Sequence, residues 1–96
     1  MNNDFSLSLK AAFKREELKE FSKNVLEIFE NFLKKSNVNL KNKTDPAVIL
    51  YEEALKIKER LYDKSYKTVR DITKAEGKLE LIKKYIEIME SAVTEK

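Results

Sequence analysis

Between Leu18 and Leu33 the apolar residues recur at the spacing that lines one face of an α-helix. Leu18, Phe21, Val25, Ile28 and Phe32 step by three, four, three and four. Leu26, Phe29 and Leu33 widen the stripe toward a second face, whereas Glu20, Lys23, Glu27 and Glu30 fall outside it. A stripe this wide needs at least two other helical surfaces to cover it. Upstream, Phe5, Leu9 and Phe13 step by four. The pattern therefore predicts a first helix from about Ser8 to about Lys35, with Asp4, Ser6 and Ser8 as competing N-caps.

The period stops at Ser36 to Thr44, SNVNLKNKT, an Asn-rich stretch, and restarts at Asp45-Pro46. Asp at the N-cap followed by Pro at the first helical position is a start signal, because that Pro lacks an N–H that would be unpaired anyway. The second helix is expected over about 46–63, with Ala47, Leu50, Ala54, Ile57 and Leu61 as its core stripe and Glu52–Lys56 as a supporting (i, i+4) pair. Within it, LYEEALKI (Leu50 to Ile57) resembles a helix of a tetratricopeptide repeat. No 34-residue period follows, so what the resemblance implies is an ordinary amphipathic helix.

The third boundary has two readings. Asp63-Lys64-Ser65 is a turn signal with Ser65 as a cap, yet Tyr62, Tyr66, Val69 and Ile72 keep helical spacing through it. A break at Gly77 is a further option, since Thr73-x-x-Glu76 resembles a capping box. From Ile72 the period is regular through Ala75, Leu79, Ile82, Ile86, Met89 and Val93, with Leu81, Tyr85 and Ile88 as a flanking row. The expected fold is all-α, one domain over 1–96: a small antiparallel three-helix bundle with helices near 8–35, 46–63 and 66–94. The alternative is a long helical hairpin that dimerises into a four-helix bundle.

Composition narrows the chemistry. A chain of 96 residues suffices for one core. With no Cys and no His, it has no thiolate nucleophile, no Cys/His zinc site and no His base. One Gly and one Pro argue against an all-β fold, and a single glycine makes no phosphate-cradling loop. The carboxylate pairs Glu16/Glu20, Glu52/Glu53 and Glu76/Glu80 fall on predicted exposed faces, where nothing shifts a pKa for catalysis. We expect no enzyme, no cofactor, no metal and no small-molecule substrate. The longest apolar run, Ala47 to Tyr51, is far below the roughly 18–20 residues of a membrane span, and the N-terminus lacks a signal-peptide pattern. A cytoplasmic protein that does not enter membranes is the expectation.

Binding is what is left. The surplus apolar surface of the first and last helices points to a protein partner or a second copy, with a dimer as the expected oligomer. The interface residues expected from the pattern are Tyr62, Tyr66 and Arg70, in one (i, i+4, i+8) row, together with Leu81, Tyr85 and Ile88. The second functional reading is nucleic-acid binding. It uses the loop lysines Lys34, Lys35, Lys41 and Lys43 and a basic stripe from Arg60 to Lys78 that includes Lys67 and Lys74. The net charge of +3 permits a polyanion without requiring one, and the stripe exists only if the chain stays helical across Asp63–Ser65.

Overall fold

A computed structural model describes residues 3–94 of the chain, with side chains for 9–92. Three helices make up the fold: α1 (Asn3–Lys35), α2 (Pro46–Tyr62) and α3 (Val69–Thr94). The expected bundle is what forms. Tyr51, early in α2, donates to Glu30, late in α1, and Arg15 of α1 donates to the Tyr66 carbonyl beyond the end of α2. α2 therefore runs back along α1. α3 then follows α1's direction, with Glu76 opposite Lys14 and Lys83 over the Phe21 ring. α1 is the shared element, because α2 and α3 meet each other far less than each meets α1.

Local chemistry sets the boundaries. Asp45 caps α2, its Oδ1 accepting from the Ala47 N–H at 2.9 Å with Pro46 in the first turn. α1 ends in a left-handed residue, Asn37 at φ 57°, with Val38 N–H bonded to Leu33 C=O and Asn37 N–H to Lys34 C=O. That pair of hydrogen bonds is the Schellman arrangement, which satisfies carbonyls the helix end leaves open. α2 ends the same way, with Lys64 at φ 62° and Ser65 N–H bonded to Arg60 C=O.

Several sequence expectations need correction. α1 runs from Asn3 rather than Ser8, so Asp4, Ser6 and Ser8 fall within its span, and their expected capping lies outside the residues whose side chains are described. α3 starts at Val69 rather than 66. Its cap is Thr68, whose Oγ1 accepts from Asp71 N–H at 3.1 Å, while Ser65 bonds back to Asp63 instead. Gly77 breaks nothing, and Thr73 and Glu76 are interior helical residues. The break across Asp63–Thr68 also rules out the long hairpin. Phe5 and Val93, placed on apolar stripes by the sequence, lie outside the residues whose side chains are described.

The core joins one face of each helix: Leu18, Val25, Phe29 and Leu33 from α1, Ala54, Ile57 and Leu61 from α2, Ile72, Leu79 and Ile86 from α3. Phe29 is fully buried and meets Phe32 and Tyr51 edge-on at 6.2 and 5.6 Å, geometry that suits the ring quadrupoles. Its burial contributes about 1.5–3 kcal/mol. Ser22, the one buried polar side chain among the described residues, bonds to its own helix at the Lys19 carbonyl, 2.8 Å away, so it costs the core little.

Candidate protein-docking surfaces

Covering the core uses up α1's inner face and leaves apolar side chains outside. Leu9 is 48% and Phe13 65% exposed. At 100° per residue they lie about opposite Ala11 and Leu18, which are buried. Below them on the same outward face come Glu16 and Glu20, both exposed. The sequence placed Leu9 and Phe13 on one helical line but did not single them out. The signal was their phase, half a turn from Leu18.

On α3, Leu81 is 70% and Ile88 62% exposed, one turn pair apart on the outward side. Tyr85, expected in the same row, is half-buried and packs against the core. The Tyr62–Tyr66–Arg70 row does not survive as one helix face, because α2 ends at Tyr62 and Tyr66 lies in the loop. Tyr62 is 53% exposed, with Lys19 and Lys58 ammonium groups 4.9 and 5.9 Å from its ring centre. Tyr66 is half-buried, and Arg70 is exposed at the start of α3. The same break divides the basic stripe. Arg60 is in the last turn of α2, Lys67 is in the loop, and Lys74 and Lys78 are on α3, where Lys78 approaches Glu53 at 3.6 Å. Of the loop lysines, Lys34, Lys35 and Lys41 are exposed, and Lys43 is ion-paired with Glu52.

Loop electrostatics serve shape. Hydrogen bonds from Ser65, hydroxyl and amide, hold the Asp63 carboxyl below its usual pKa. The Lys19 ammonium, 2.8 Å from Glu16, does the same there. Burial, then the bond to Glu30, pushes the Tyr51 phenol up. None of these groups lies in an enclosed apolar pocket with a second titrating partner, the arrangement general acid–base catalysis uses.

A third surface is a groove of about 580 Å³ between α1 and α3, lined by Phe21, Gly77, Leu81 and charged neighbours. It is open along its length, and no residue of α2 lines it. Among the described residues there is no His/Cys/Asp/Glu group that could hold a metal, and no helix is long and apolar enough to cross a membrane.

A short three-helix protein whose uncovered chemistry is apolar surface edged with charge is built to bind another protein. Residues 9–89 match the family of the bacterial epsilon antitoxin. The chain belongs to that family. Membership gives the coarse function, a small regulatory protein that binds and counteracts a partner protein, a toxin. No curated protein and no solved structure matches the chain.

Proposed function

We propose that the chain is a non-enzymatic, cytoplasmic inhibitor that neutralises a protein toxin by stoichiometric docking, and that the outward face of α1 at Leu9 and Phe13 makes the principal contact. The observation that carries this reading is the exposure of those two large side chains, 48% and 65%, on the helix every other element packs against. Apolar anchors held on a rigid helix lose little conformational entropy on binding, which is why few such residues dominate an interface. The test is inhibition and direct binding of a candidate partner toxin, using purified proteins. Leu9→Glu with Phe13→Glu should weaken binding by about thirty-fold or more, the equivalent of one hot spot. Unchanged binding would remove this face from the interface.

Leu81 and Ile88 support a second element of the proposal, self-association along the outward side of α3. Tyr62, Tyr66, Arg70 and Tyr85 belong to this reading as flanking contacts. Sedimentation equilibrium of the chain and of Leu81→Glu with Ile88→Glu checks it: a dimer that the variant converts to monomer is the expected result, and a monomeric parent chain refutes it.

A further inference from the structure

We infer that the open side of the α1–α3 pair is a seat for an amphipathic helix of the protein partner, one that carries Lys or Arg along its flanks. The inference rests on the reading of the chain as a protein inhibitor and adds the partner's chemistry. α2 covers α1 and α3 from one side only, and the opposite seam stays open from the level of Lys14 and Glu76 to that of Ile28. At 1.5 Å per residue that is about 20 Å, the length of about four helical turns. A fourth helix there completes a four-helix bundle, the arrangement in which wide apolar stripes are fully covered.

The floor of the seam is apolar and already in place: Phe21 and Ile28 are half-buried, and Leu18 and Val25 close it from beneath. Phe21 sits at the middle of the seam and borders each of its three sections. At Gly77 the wall drops away, and a Cβ there would meet nothing within 4 Å, so an incoming side chain has room.

The walls set the charge of the occupant. Five glutamates, Glu17, Glu27, Glu76, Glu80 and Glu87, face three lysines, Lys14, Lys83 and Lys84. The whole chain carries 20 Lys/Arg against 17 Asp/Glu, so acid is concentrated in this seam against the overall balance. Glu76 answers Lys14 at 3.8 Å, and Lys83 sits over the Phe21 ring at 5.9 Å. Glu17, Glu27, Glu80 and Glu87 make no ion pair among the described residues. A basic flank therefore meets acids not already engaged, whereas an acidic flank is repelled.

The probe is an end-capped peptide of about 14 residues with leucines at helical a/d spacing and lysines on both flanks, beside a counterpart with glutamate at every lysine. Binding is followed by titration into the isotopically labelled full chain. The lysine peptide should shift the amides of Phe21, Gly77 and Leu81, and weaken at least ten-fold between about 50 and about 300 mM salt. Glu80→Lys with Glu87→Lys should cost at least ten-fold, and Gly77→Leu should block the seat; circular dichroism checks that both stay folded. Lys34→Ala with Lys35→Ala should change nothing. No binding, equal binding of both peptides, or shifts confined to Leu9 and Phe13 would each overturn the inference, as would a second copy packed against Phe21, whereas a dimer through the outward side of Leu81 and Ile88 that leaves Phe21 uncovered would not. The toxin assay separates the two claims. Toxin bound undiminished by the double charge reversal overturns the seat and leaves the antitoxin reading standing. Failure of the unaltered chain to bind toxin overturns that reading and leaves the peptide result to judge the seat.

Discussion

Replacing Gly77 with alanine should make the protein more stable. Gly77 is nine residues into α3 from its cap, in ordinary helical conformation. Glycine at such a position costs about 0.8–1.0 kcal/mol relative to alanine, because it loses more backbone freedom on folding. Two things would offset that gain, a left-handed backbone or a clash at the new methyl. Gly77 has no positive φ, and its Cβ would meet nothing within 4 Å. The added methyl also gains no packing, so the helix term stands alone, at about 1 kcal/mol. For a chain of 96 residues, an unfolding entropy of about 2.1 cal/mol/K per residue turns that into a rise of about 5 °C in Tm. Thermal and guanidinium melts followed by circular dichroism at matched concentration measure it, with the denaturant slope unchanged. A gain below about 0.3 kcal/mol, or any loss, would refute the reasoning and mean that α3 near Gly77 is not the regular, uncrowded helix described.

Lys64 is the mirror case: at φ 62° it holds a conformation that L side chains resist, so Lys64→Gly should stabilise by about 1 kcal/mol in the same melts, and a loss would show that the lysine side chain supports the turn. Asp63 tests the loop's electrostatics. Its folded pKa lies below the ordinary aspartate value, because Ser65 bonds to the ionised form, so its contribution is present above the unfolded pKa and is lost as pH falls through the folded one. A carboxyl titration by NMR should place the midpoint below that of an unstructured aspartate and move it upward in Ser65→Ala; a midpoint at or above the unstructured one would contradict the hydrogen-bond geometry.

Helical period carried most of the fold. Leu18, Val25, Phe29, Ile57, Leu61, Ile72, Leu79 and Ile86 lie on the predicted stripes and are all buried, because packing rewards the same three-four spacing that the sequence displays. The ambiguous break after α2 and the break offered at Gly77 have one physical source. Glycine usually marks the left-handed residue after a helix, but in this chain Asn37 and Lys64 take those positions and the single glycine sits inside α3. The two residues that end helices therefore carried weaker signals than the one that does not. The surfaces were less legible still. Leu81 and Ile88 followed from the width of the α3 stripe, whereas the groove depends on which side of α1 the second helix covers, and no local pattern specifies that.

The exposed pair and the groove lie on neighbouring sectors of α1. By helical phase, Glu17 falls between Phe13 on the outward face and Phe21 in the seam, so a protein that seats a helix against Phe21 brings its flank toward Leu9 and Phe13. This proximity decides how the two sets of variants relate. If one partner spans both surfaces, Leu9→Glu with Phe13→Glu and Glu80→Lys with Glu87→Lys each weaken the same complex, and their costs nearly add, because the altered positions share no contact. If two partners divide the surfaces, each pair of substitutions abolishes one complex and spares the other. The acid in the seam favours the single-partner arrangement. Glu20, beside the outward pair, extends the same sign of charge around α1, so one basic-rimmed partner surface complements both sectors without a reversal of charge.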